Sequence, residues 1–142
     1  MLKRNLRRFT SLLILTTALI ACEEEIDPDY ELRDEYIGEW ICNENSNLYG
    51  SSTYSVTISK SSDSIAYIEI QNFYNTGQSS VAIAEVFENS ILIENQIMTT
   101  STGSLEISGS GSANSDFTSF ELVYQVKDGG ETDQASAEFT RP

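Results

Sequence analysis

The chain has 142 residues, 39% of them hydrophobic and 10% aromatic, enough for one folded domain and too few for two once a targeting segment is removed. Lys and Arg number 8 against 22 Asp and Glu, and Lys3, Arg4, Arg7 and Arg8 place half of those bases at the extreme amino terminus. A surface so acidic repels polyphosphate, because affinity for nucleic acid rests on bases displacing condensed counterions, and this excludes nucleic acid as a partner. The sequence holds no His, which removes the usual general base near neutral pH, the usual zinc ligand and every His-dependent triad. No catalytic residue, metal site or cofactor is expected.

Residues 1–21 read as a secretory signal peptide, with a basic start, an apolar run from Leu12 to Ile20 and the small Ala21. The apolar run is nine residues, short of the roughly 20 that span a bilayer core. Leu19-Ile20-Ala21-Cys22 resembles the bacterial lipobox, which implies cleavage between Ala21 and Cys22 and acylation of Cys22 with chains such as palmitate. Two or three acyl chains anchor a protein stably where one does not, so the mature chain is expected to stay on its membrane. Residues 22–35 read as an acidic tether. From Glu23 to Glu35 there are eight acids against one base, too little apolar surface to repay ordering. Acids directly after such a cysteine resemble the export signal of Bacteroidota lipoproteins, which implies an outer-membrane protein facing the cell exterior.

Residues 36–142 change texture to β-branched and aromatic runs broken by Ser, Asn, Asp and Gly. Runs at 36–43, 54–60, 65–72, 80–87, 90–98, 104–112, 119–127 and 134–141 predict about eight strands and an all-β domain. Several alternate with period two: Tyr54, Val56 and Ile58 oppose Ser55, Thr57 and Ser59, and Phe120, Leu122, Tyr124 and Val126 oppose Glu121, Val123, Gln125 and Lys127. The connections are mostly short and leave no room for crossover helices, so an antiparallel meander that closes into a small barrel is expected. Bulky inward residues (Trp40, Tyr54, Phe120, Tyr124, Phe139) mix with small ones (Ala66, Ala82 or Ala84, Gly109, Gly111, Ala135, Ala137), as a tapering barrel needs. The glycines two apart in one strand predict sharp coiling or a close backbone approach.

The opening Asp34-Glu35-Tyr36-Ile37-Gly38-Glu39-Trp40, the Ile107-Ser108-Gly109-Ser110-Gly111 strand and the segment from Leu122 to Asp133, in that order behind the lipobox, resemble the small lipocalin-like lipoproteins of Bacteroidota. The resemblance covers residues 34–142. It implies a lipocalin-like antiparallel barrel on a lipid anchor and assigns no activity. In many members a first-strand cysteine is matched by one in the last strand; here Cys42 faces Gln134-Ala135-Ser136-Ala137, so Cys42 is expected to be a free thiol.

Each candidate site has a plainer reading beside it. Trp40, Tyr54, Phe120 and Tyr124 either line a ligand pocket or plug the core, and for Trp40 the core reading is favoured. Cys42 has no nearby base to lower its pKa and reads as a buried, inert thiol. Asp128, Glu131 and Asp133 share one predicted turn but lack the ligand alternation of a calcium loop. Asp63-Ser64-Ile65 resembles a three-residue acceptor for O-linked glycans, with Ser64 as the acceptor, or is an ordinary turn. Glu69, Glu85, Glu106, Glu121 and Glu138 fall on the outward phase of their strands and read as solubility. Two functions follow. A non-enzymatic surface module engages a basic protein through its acidic exterior or loops, or a carrier holds a small apolar ligand in the barrel. The many inward aromatics favour a filled interior and the first of these.

Overall fold

The computed structural model describes residues 31–142; the expected signal peptide, Cys22 and most of the expected tether lie outside the described residues. Period-two alternation of apolar and polar residues gives eight strands: β1 (Gly38–Ser46), β2 (Gly50–Lys60), β3 (Tyr67–Gln71), β4 (Val81–Phe87), β5 (Ser90–Thr100), β6 (Gly103–Ala113), β7 (Ser119–Asp128) and β8 (Glu131–Thr140). Each pairs antiparallel with the next, and β8 returns to β1 through Ile41 opposite Thr140 to Ser46 opposite Ala135, closing the barrel. Closure removes the two free edge strands that an open meander would carry.

Several strands run further than the sequence predicts, mostly at one end, whereas β3 and β4 fall short of their predicted runs of 65–72 and 80–87. β1 runs on to Ser46, β5 to Thr100, and β8 begins at Glu131. The expected turn over 128–133 contracts to Gly129-Gly130, with Gly129 at φ +60°, the left-handed geometry that a two-residue hairpin needs. At the other end, Tyr36 leaves β1 for a 3-10 helix (Leu32–Tyr36), and Ala66 is a half-buried turn residue ahead of β3, where an inward strand position was expected.

This 3-10 helix corrects the reading of residues 22–35 as tether throughout. Arg33 is buried, and its Nη1 donates to the carbonyls of Ser61, Ser64 and Tyr67 at 2.7, 2.8 and 3.2 Å. Lys60 pairs with Asp34 and Glu31 at 2.6 and 3.1 Å. The composition is acidic, yet its single base, together with Lys60 bound to its acids, holds the segment over one end of the barrel.

At this capped end the interior is filled. Tyr36, Trp40, Phe120 and Phe139 are all at most 1% exposed; Phe120 stacks on Phe139 at 4.3 Å, and Trp40 meets Phe120 edge-on at 4.8 Å. Ile58, Ile68, Ile70, Ile91, Ile93 and Ile107 continue the packing to the waist. Gly111 faces Leu122 in the β6–β7 pairing, and a Cβ there would fall on the Glu121 carbonyl, so the predicted close approach of backbones is met.

Between β4 and β5 the ladder is short, from Glu85 opposite Leu92 to Phe87 opposite Ser90, and a bulge in β5 shifts the register between Ile93 and Gln96. The Gln96 side chain fills the gap. Its Nε2 donates to the Ile83 carbonyl at 2.8 Å and its Oε1 accepts from the Ile83 N–H at 2.9 Å. The amide thereby reproduces the paired bonds of a strand neighbour.

Candidate functional site

The loops β1–β2, β3–β4, β5–β6 and β7–β8 gather at the end of the barrel opposite the 3-10 helix, and there the aromatic filling stops. A cup of about 380 Å³ opens between them, lined by Glu44, Tyr49, Ser52, Tyr74, Asn75, Thr76, Thr100, Thr102, Leu105 and Asp128. A smaller niche beside it shares Tyr49, Tyr74, Leu105 and Asp128 and adds Glu131 and Asp133.

Glu44 sits at the floor. It continues the inward phase of β1 after Trp40 and Cys42 and is 6% exposed. Its Oε2 accepts from the Tyr54 hydroxyl at 2.6 Å and from the Tyr124 hydroxyl. Burying a carboxyl is costly unless donors meet it, and these two phenols do so. In turn burial, with the negative Glu44 nearby, pushes the Tyr124 hydroxyl far above its ordinary pKa, and burial does the same to Tyr54. Both phenols therefore stay protonated as donors. Cys42 lies below, its thiol pushed up to about 12 chiefly by burial. It forms no disulfide among the described residues and is unsuited to nucleophilic work.

The wall is made by Tyr74. Asn72, Tyr74 and Asn75 all have positive φ (62°, 56° and 53°), a run of left-handed residues that costs free energy in a tyrosine and persists only where surroundings enforce it. Phe73, fully buried against Tyr124 with ring centroids 4.7 Å apart, pins the turn from below. The Tyr74 hydroxyl donates to Asp133 at 2.6 Å, and its ring meets Tyr49 and Tyr124 edge-on at 6.4 and 6.3 Å. Asp133 also accepts from the Ser46 hydroxyl and from the Leu48 N–H at 3.1 Å. Burial opposes the charge, but the Ser46 and Tyr74 hydroxyls and the backbone donors outweigh it and hold the Asp133 carboxyl below its ordinary pKa.

The aromatic residues singled out from sequence thus divide by depth. Trp40 and Phe120 belong to the capped core, whereas Tyr54 and Tyr124 hold the acid on the cup floor. Asp128, Glu131 and Asp133 do not converge as one cation site: Asp133 points inward and spends its oxygens on protein donors. Among the described residues no group of three or more His, Cys, Asp or Glu is placed to hold a metal ion. Ser64 lies at the capped end, its Oγ accepting from the Ala66 N–H at 3.2 Å and its carbonyl taken by Arg33. Glu69, Glu85 and Glu106 are half-buried and Glu121 and Glu138 exposed on the outer surface, as their phase predicts. Glu44, Tyr49 and Tyr74 went unnoticed in the sequence. For Glu44 the signal was present, since Trp40, Cys42, Glu44 and Ser46 keep one phase; for Tyr74, in a turn after a short strand, there was none.

No protein-family model matches this chain, and neither does any curated protein. Among solved structures, the redesigned β-barrel mFAP1 bound to DFHBI superposes with a TM-score of 0.55 at 14% identity, covering 79% of this chain and 100% of the other. EF1p2_mFAP2b bound to DFHBI gives 0.55 at 14%, covering 77% and 95%, and the redesigned barrel b11L5F_LGL gives 0.53 at 13%, covering 80% and 99%. At such identities the likeness concerns the fold alone: a small eight-stranded antiparallel barrel.

Proposed function

We propose that this protein is a non-enzymatic carrier that binds a small molecule in the cup at the barrel mouth, displayed at the outer face of an outer membrane by acyl chains on Cys22. The observation that carries the binding reading is the cup itself. At about 380 Å³ it falls within the range of small-molecule sites, it joins tyrosine and leucine surface to a few fixed polar groups, and its floor is built on rigid strands. Two structurally similar barrels are bound to DFHBI, which supports the same use of this architecture. The filled interior expected from the inward aromatics applies to the capped end and waist only. The anchor and the surface location rest on Leu19-Ile20-Ala21-Cys22 and the acids that follow it. The absence of His and the engagement of the buried carboxyls by hydroxyl donors support the non-enzymatic reading.

Engagement of a basic protein by the acidic exterior is the second reading, and Glu121 opposite Glu138 on the outer face of β7 and β8 favours it. Like charges placed directly across a ladder destabilise the sheet, so their retention fits a use outside folding.

The carrier reading is tested by purifying the chain from membranes of its native host without denaturation, extracting it with organic solvent and analysing the extract by mass spectrometry. A small molecule should accompany the parent in near-equimolar amount and be lost from Leu105→Trp, which fills the cup. Recovery of nothing, or of equal amounts from both proteins, would sink the carrier reading.

A further inference from the structure

We propose that the cup selects a monocationic amine carried on an aromatic or similarly flat apolar body, with the ammonium group seated on Glu44; this rests on the carrier reading above.

The first reason is the state of the Glu44 carboxyl. Both phenols donate to Oε2, and Oε1 takes no hydrogen bond among the described residues, although Glu44 is 94% buried and lines the cup (6% exposed). Oε1 is not a closed-off oxygen but keeps access to solvent from the cup, and an ammonium N–H that reached it would form a charge-assisted hydrogen bond. Tyr54 and Tyr124 hold the group in place beforehand, so little order is lost when the ligand arrives.

Charge settles the class of donor. Asp128 lines the same cup, and Glu131 and Asp133 stand in the adjoining niche. Among the described residues the bases are Arg33, Lys60, Lys127 and Arg141, and none of them lines either space. Arg33, Lys60 and Arg141 are engaged at the capped end, and Lys127 pairs with Glu106 on the outer surface at 3.0 Å. The cup therefore presents carboxylates with no protein cation to neutralise them, and a net charge of −14 over the chain adds to the attraction for a cation. An anionic ligand would meet repulsion from Glu44 and Asp128.

The walls choose an organic cation. Tyr49 and Tyr74 line the cup with rings inclined at 62°, offering faces to an ammonium or to the ring that bears it, while Leu105 supplies apolar contact.

The test is binding of three matched probes to the full mature chain by isothermal titration: tryptamine, its neutral analogue tryptophol and the anionic indole-3-acetate. Tryptamine should bind saturably, tryptophol at least about tenfold more weakly, and indole-3-acetate not at all. Glu44→Gln keeps the shape and an acceptor for the phenols; it should weaken tryptamine about tenfold and leave tryptophol unchanged. Asp128→Asn, at the rim, should weaken tryptamine by a smaller factor and serves if Glu44→Gln fails to fold. Tryptophol binding as well as tryptamine, tryptamine binding that survives both substitutions or Leu105→Trp, or no binding of tryptamine each overturns the inference. The carrier reading is decided separately, by the extraction experiment.

Discussion

The Arg141 guanidinium lies 3.9 Å from the centre of the Trp40 ring and at the same time donates to the carbonyls of Glu35 and Ile37, at 2.6 and 2.8 Å. Trp40 Nε1 in turn donates to the Tyr36 carbonyl at 2.7 Å. One residue after the last strand thus ties the first strand to the 3-10 helix. Gly38, at φ +120°, has its missing Cβ 3.1 Å from Arg141 Nη1, which accounts for glycine at that place two residues before Trp40. Replacing Arg141 by Met keeps the stem over the ring but loses the cation and both hydrogen bonds. We expect a loss of about 2 kcal/mol, read as a lower urea midpoint with unchanged slope. A midpoint equal to the parent's would show that the clasp contributes nothing.

Arg33 offers a second test at the same pole. Arg33→Met leaves the carbonyls of Ser61, Ser64 and Tyr67 without their shared donor, at a cost of about 2–3 kcal/mol. Consistently, a chain starting at residue 38 should unfold at markedly lower urea than one starting at residue 31. Equal midpoints for the two would mean that residues 31–37 are a spacer, as their composition alone suggests.

Much of this architecture was legible, and the reasons for the exceptions are physical. Alternation in β2 and β7 and the lack of room for crossover helices sufficed for a closed antiparallel meander. The cap was hidden because Arg33 buries itself against backbone carbonyls, which leave no mark in a sequence. The cup was hidden because its parts come from four separate hairpins, and only closure brings Glu44, Tyr74, Thr102 and Asp128 together. Glu44 could have been found by extending the inward phase of β1 past Asn43.

Asp133 governs a pH response. Its folded pKa is lowered, so the stability it contributes is fully present above the ordinary carboxylate pKa and is lost as pH falls through the lower folded value. Asp133→Asn should therefore be less stable than the parent at pH 7, and the gap should narrow below about pH 4. Thermal unfolding of both proteins between pH 2 and 7, on the scale of those ordinary values, would show it. A gap that stays constant over that range would assign the defect to packing.

Gln96 gives a prediction about local opening. In Gln96→Leu the Ile83 N–H and carbonyl lose their partners, which should cost about 1–2 kcal/mol. Hydrogen exchange at the Ile83 amide should accelerate, while exchange at Leu122 and Ala137 in the β7–β8 ladder follows only the change in global stability. Unchanged protection of Ile83 would show that the amide bridge does not close the seam.

The polarity of β1 has a consequence for how the protein is approached. The chain enters at the pole sealed by the 3-10 helix and runs from Trp40 toward Glu44 and Ser46, so whatever precedes residue 31 is fastened to the pole opposite the cup. If acyl chains on Cys22 hold the molecule to a bilayer, the attachment reaches the barrel at the sealed end and leaves the acidic mouth unobstructed. A ligand would then be taken from the aqueous side.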